Sequence, residues 1–132
     1  MAAGMRSDIS VIRAGQAPCF DLEGVEFIGG AAPSRASDQL CTWTILVGGG
    51  YDSGQAHTLD RDEVFTVIDG SVRLQADGPD LEPGDTAVVP AGVPIRLANA
   101  ARKPARVHVA IVAGFTAAMA DGSAIGTPPW AR

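Results

Sequence analysis

The stretch "HTLDRDEVFTVIDG", His57 to Gly70, decides how the chain folds. A histidine stands six residues before a glutamate, and the glutamate seven before a glycine. Along a straight strand, at about 3.3 Å per residue, His57 and Glu63 would lie roughly 20 Å apart and share nothing. Between them, however, "LDRD" (Leu59 to Asp62) is dense in charge and has the composition of a turn. If the backbone reverses there, His57 ends one strand, Glu63 begins the next, and the two side chains face each other across the pair. Side chains alternate along a strand, so Gln55, His57 and Leu59 share one face of the first, and Glu63, Phe65 and Val67 one face of the second.

The same alternation of apolar and polar residues extends outward in both directions. "QLCTWTILV" (Gln39 to Val47) reads as a long strand ending at Gly48–Gly50. "VFTVI" is closed by Asp69-Gly70, a hairpin signal. "SVRLQA" (Ser71 to Ala76), "TAVV", "IRLA" (Ile95 to Ala98) and "RVHVAIV" follow as short strands between glycine- and proline-rich turns. Upstream, "ISVIRA" (Ile9 to Ala14) and "VEFIGG" are strand candidates, and the tail "MADGSAIGTPPWAR" reads as turn-rich and extended. No stretch has apolar residues at sustained helical spacing, so the expectation is an all-β sandwich or barrel with little helix. The 132 residues suffice for one domain. It divides into an N-terminal arm with strands (1–38), a barrel core (39–115) and a C-terminal tail (116–132).

Composition narrows the class of function. A formal net charge of −5 argues against nucleic acid and anionic membranes as partners, since both need a positive surface. The N-terminus lacks the apolar core of a signal peptide. The longest apolar stretch, from Val107, is broken by His108, Gly114 and Thr116, too often to span a bilayer. A cytoplasmic location is the default expectation. Cys19 and Cys41 lie far apart without metal-site spacing and are expected to be free thiols.

Two motifs resemble those of the cupin superfamily. In the first, G-x5-H-x-H-x3,4-E-x6-G, His57 falls on the first histidine, Glu63 on the glutamate and Gly70 on the closing glycine. The second, G-x5-P-x-G-x2-H-x3-N, is matched in register by Gly84, Pro90, Gly92 and Asn99 of "GDTAVVPAGVPIRLAN". The ending "TPPWAR" is similar to the tails of small single-domain cupins, so the resemblance runs from about Trp43 to Trp130. It implies a double-stranded β-helix, a jelly-roll barrel whose open end holds a small-molecule pocket, and it supports the expectation of a homodimer. Metal-holding cupins use three histidines with the glutamate. Here Leu59 and Ile95 occupy the other two histidine positions, and Gly50 is one residue further from His57 than the pattern asks.

That incomplete set points away from a tightly held metal, since a catalytic metal needs about three protein ligands. No cofactor is expected beyond a weakly bound divalent metal on His57 and Glu63, with His108 or Gln55 as the remaining candidates. The leading expectation is a metal-independent acid–base enzyme of isomerase, lyase or cyclase type acting on a small molecule. His57 titrates near neutral pH and serves as base or acid. Glu63 orients it and favours the imidazolium. Gln55 or Asn99 aims the substrate, and Leu59, Phe65, Ile95 and Leu97 form apolar walls. The alternatives are a non-catalytic binding or sensing module and a metal-dependent oxygenase or decarboxylase. Asn99 also reads as a turn cap, and His108 as a histidine on the outer surface of a sheet. Trp43 and Trp130 read as core or interface packing, and the role of Tyr51 stays open.

Overall fold

A computed structural model describes residues 8–132. Its nine strands are β1 (Cys19–Leu22), β2 (Val25–Gly29), β3 (Leu40–Val47), β4 (His57–Leu59), β5 (Glu63–Asp69), β6 (Thr86–Val89), β7 (Ala105–Val112), β8 (Ala117–Met119) and β9 (Ala124–Gly126). The helical segments among the described residues are two short 3₁₀ turns, Ala14–Gln16 and Pro129–Ala131. None is long and apolar enough to cross a membrane. The architecture is an all-β jelly roll in two layers.

The main layer is a six-stranded sheet in the order β1-β2-β3-β7-β5-β6, antiparallel throughout. Its centre follows from the period-two pattern. Cys41, Trp43, Ile45 and Val47 of β3 point inward and are buried, and so are Ala105, Val107, Val109 and Ile111 of β7. β3 and β7 pair along eight residues, from Leu40 opposite Val112 to Val47 opposite Ala105, so the two inward rows form one continuous apolar face. The outer face carries Thr42, Thr44, Thr66, Arg106 and His108 between partly exposed aliphatics.

The second layer is lighter. β4, β8 and β9 make a three-stranded sheet, extended by isolated bridges that join His57 to Ile95, Asp52 to Ala98, and Arg73 to Ala98. "SVRLQA" and "IRLA", expected as strands, are therefore bridge-forming segments. Pro79, Pro83, Pro90 and Pro94 lie close to them in sequence and have no N–H with which to extend a ladder. The alternation survives in the side chains: Val72, Leu74, Ile95 and Leu97 are all buried. Asp69-Gly70 turns the chain as expected, but the tight hairpin does not form. β5 pairs instead with β6, sixteen residues on from Gly70 at Thr86, after an excursion closed by the Val72–Leu81 bridge. Gly70 has φ +75°, and a Cβ there would lie 2.7 Å from the Pro104 carbonyl oxygen, so both conformation and space require glycine.

The ends differ from the sequence expectation. "ISVIRA" is not a strand and runs irregularly into the first 3₁₀ turn. The tail is structured: β8 and β9 form a hairpin, and the second 3₁₀ turn returns the chain to β2. Arg35 fastens it, donating from Nε to the Gly30 carbonyl (2.6 Å) and from Nη2 to the Trp130 carbonyl (2.7 Å). The indole of Trp130 then stacks on Phe27, with centroids 3.8 Å apart and planes within 8°. Both cysteines are free; Cys19 is exposed and Cys41 buried.

Candidate functional site

The backbone does redirect between His57 and Glu63, though as a corner and not as a hairpin. β4 pairs with β8 in the light layer, while β5 lies between β6 and β7 in the main one. Two aspartates pin the corner. Asp60 accepts from the Thr116 backbone N–H (2.8 Å) and hydroxyl (3.1 Å), and Asp62 accepts from the Ala91 N–H (2.9 Å). The charge in "LDRD" thus anchors the crossing between layers. His57 and Glu63 line a single cavity of ≈ 230 Å³ between the layers.

Each group is shaped by its neighbours. Glu63 opens β5 with Val89 opposite on one side and Ile111 on the other, both buried and apolar. Its own residue is 3 % exposed. Without a counter-charge, burial pushes its carboxyl up to about 8, so it is un-ionised at neutral pH. His57 exchanges two backbone hydrogen bonds with Ile95, N–H to carbonyl at 3.0 and 2.8 Å, which sets the isoleucine beside the imidazole. Burial holds that imidazole below its ordinary value of 6.5. The expectation that Glu63 favours the imidazolium is overturned: no charged partner opposes the desolvation, and among the described residues neither side chain hydrogen-bonds to the other. At neutral pH the site holds a neutral base and a neutral acid.

The rest of the lining is apolar and aromatic. Leu59, Phe65, Ile95 and Leu97 contribute walls where the sequence placed them. Trp43 and Ile45 come from β3, Tyr51 and Ser53 from the loop before β4, Phe115 and Ala117 from the chain entering β8, and Trp130 from the tail. Burial, with a smaller push from the neighbouring Asp52 charge, raises the Tyr51 phenol above its usual range. Asp52 is engaged elsewhere, in a two-pronged ion pair with Arg96 at 2.8 and 2.9 Å on the exposed rim. Trp43 continues the inward alternation of β3, so its direction was legible. Trp130 has no local signal, because a partner 103 positions upstream, Phe27, brings it to the cavity.

A model of the cupin domain matches residues 42–112, more than half of the chain. The chain belongs to the cupin family. No curated protein matches it. Solved cupin folds do. An RmlC-like cupin protein from Ralstonia eutropha aligns over 93% of this chain and 80% of its own, with a TM-score of 0.72 at 11% identity. A polyketide cyclase from Streptomyces resistomycificus aligns over 80% of both chains, with a TM-score of 0.69 at 13% identity. A sugar phosphate isomerase of the cupin superfamily from Silicibacter pomeroyi covers 75% of this chain and 67% of its own, with a TM-score of 0.63 at 24% identity. At these identities the likeness carries the fold alone.

Cupins can hold a metal, and the residues present in this one do not fit that role. Among the described residues no three histidine, cysteine or acidic side chains gather. The two further histidine positions are the buried Leu59 and Ile95, and the remaining carboxyl is surrounded by aliphatic chains. Neither proposed substitute ligand reaches the site. His108 lies on the outer face of the main sheet, opposite Thr44 and Thr66. Gln55 is exposed and is not part of the cavity wall. Its expected role in aiming a substrate therefore has no support in the geometry. Asn99 also leaves the site. Buried, it donates to the Val47 carbonyl (3.2 Å) and the Lys103 carbonyl (2.9 Å) and accepts from the Ala101 N–H (3.0 Å), so every polar atom of its amide is used to hold a turn.

Proposed function

We propose that this cupin is a metal-independent acid–base enzyme of isomerase, lyase or cyclase type, moving a proton on a small, uncharged, largely apolar carbonyl compound. One observation carries it: a neutral imidazole and an un-ionised carboxyl face the same greasy cavity. The neutral His57 removes a proton from the carbon next to the carbonyl. The Glu63 carboxyl gives its proton to the carbonyl oxygen as negative charge develops there. Collapse of the enol returns the oxygen's proton to Glu63, while His57 delivers its own to carbon, so both groups end as they began. A low-dielectric surround strengthens each interaction as charge appears.

The lining also bears on the substrate. It contains no lysine or arginine, so a phosphate would enter without a counter-charge. That disfavours a sugar phosphate, and favours ring-bearing substrates of the kind a cyclase handles. An apolar cavity of about 150 Å³ takes one benzene; at ≈ 230 Å³ this one suits one to two rings.

The test is deuterium exchange of the α-hydrogens of α-tetralone in heavy water, followed by NMR. The native protein accelerates exchange, and His57→Ala, still folded, loses the acceleration. Equal rates with the native protein and the variant would remove His57 from the chemistry. Non-catalytic binding is the second possibility, favoured by the absence of a hydrogen bond between His57 and Glu63. In that case a ligand co-purifies and is recovered unchanged.

A further inference from the structure

Three buried side-chain atoms among the described residues have no hydrogen-bond partner: Nε1 of Trp43, Oε1 of Glu63 and Nε1 of Trp130. Leaving such atoms unpaired is costly, and folded proteins rarely do so. The three residues lie far apart in sequence, on β3, on β5 and on the tail's 3₁₀ turn, yet all three line the same cavity. The two indoles offer one kind of group, and the carboxyl can match it. An indole nitrogen only donates, and a carboxyl kept un-ionised by burial donates as well. Around them the wall is mostly apolar, with the hydroxyls of Tyr51 and Ser53 and the imidazole of His57, and it holds no lysine or arginine to meet an anion.

We infer that the cavity selects an uncharged one- or two-ring compound carrying at least two acceptor oxygens, and that the indole N–H groups of Trp43 and Trp130 are specificity-determining donors to it. The two indoles read the oxygens, while the aromatic and aliphatic wall reads the rings. Trp130 is suited to this because its ring is held flat on Phe27 and its backbone carbonyl is fastened by Arg35. Trp43 is held by its strand and by Phe115, with centroids 5.9 Å apart. Pre-positioned donors gain affinity because little side-chain freedom is lost on binding.

This inference rests on the proposal that the cavity is the ligand site, but it does not require turnover. Three bicyclic probes of nearly equal shape test it by calorimetry: tetralin with no acceptor, α-tetralone with one, and chroman-4-one with two. Affinity should rise in that order, by about two- to tenfold per acceptor. Trp43→Phe and Trp130→Phe should each reduce the chromanone-to-tetralin ratio by a similar factor, whatever the change in tetralin affinity itself. The native protein gives a second readout that needs no variant. The chain has two tryptophans, and both indole N–H proton signals should move downfield with chromanone and not with tetralin. Equal affinity for the three probes, an unchanged ratio in both variants with unmoved indole signals, or no binding of any probe up to its solubility overturns the inference. Deuterium exchange that fails while the ratio holds removes the enzyme and keeps the donors. A lost ratio with exchange intact does the reverse.

Discussion

The carboxyl of Glu63 links stability to pH in a direction opposite to that of most paired carboxylates. Its folded value is raised from 4.5 to about 8, and burial is the cause. Below pH 4.5 the group is protonated in both the folded and unfolded chains and adds no pH dependence. As pH rises, the unfolded chain ionises first while the folded chain still holds the proton, so stability falls until both are ionised above pH 8. The window is about three and a half pH units wide. At about 1.4 kcal/mol per unit, the full loss is on the order of 5 kcal/mol. Against a total of roughly 5–15 kcal/mol for a domain, that is a large share. Glu63→Gln keeps the shape and cannot ionise. Urea unfolding of both proteins at intervals from pH 5 to pH 9 measures the effect as their difference. This difference also removes the contribution of His57, whose lowered value acts in the opposite sense, its stability being lost as pH falls below 6.5. The variant should gain on the native protein by most of that amount across the window. A gap that stays constant within about 0.5 kcal/mol at every pH, well inside one pKa unit's worth, would mean the carboxyl is not desolvated, and the acid assigned to it would go as well.

The α-tetralone exchange rate should form a bell in pH, rising as His57 loses its proton below 6.5 and falling as Glu63 ionises near 8; a flat profile would disconnect both groups from the step. Asn99→Ala should cost about 1–3 kcal/mol in unfolding, because the buried Val47 carbonyl and the part-buried Lys103 carbonyl and Ala101 amide lose their partner. Chromanone affinity should survive in that variant, as measured below its melting temperature. Asp52→Asn removes an exposed ion pair with Arg96 and should change stability by less than about 1 kcal/mol. We further propose a homodimer through the outer face of the main sheet, where Leu40 and Val112 stand opposite each other and are about half exposed. Light scattering should then give twice the 13.5 kDa chain mass, and Val112→Asp should halve it; a clean monomer at micromolar concentration in the native protein would refute this.

Much of the main layer was legible because a strand buried on one face records itself as alternation. Cys41-Trp43-Ile45-Val47 and Ala105-Val107-Val109-Ile111 did so over eight residues each, and the structure turns those rows inward. The light layer was less legible. Its side chains still alternate, but "SVRLQA" and "IRLA" pair only through isolated bridges, such as Arg73 with Ala98 and Val72 with Leu81, and not through a continuous ladder. At the site, Leu59, Phe65, Ile95 and Leu97 were readable from face and spacing. Gln55 was misplaced because phase alone put it on the inner face, whereas it sits in the irregular segment before β4, where phase has no meaning. Trp130 and Phe115 were missed as wall because only tertiary contacts bring them there. The sign of the pKa changes could not be read locally either. It depends on Val89 and Ile111, which reach Glu63 from other strands.

The two walls of the cavity are unequal in a way that bears on motion. One belongs to a ladder eight residues long. The other rests on the three-residue pairing of β4 with β8, isolated bridges, a short irregular hairpin, the Asp60–Thr116 bonds and the grip of Arg35, with no ladder longer than three residues. Segments with so few bonds open well before the whole molecule does. Traffic in and out of the cup is thus expected to go by brief peeling of the thinner leaf, with amide exchange fast at Met119 and Ala120 and slow along β3 and β7. An occupant that bridges the leaves would act as their clasp, slowing exchange at the first pair while leaving the second untouched.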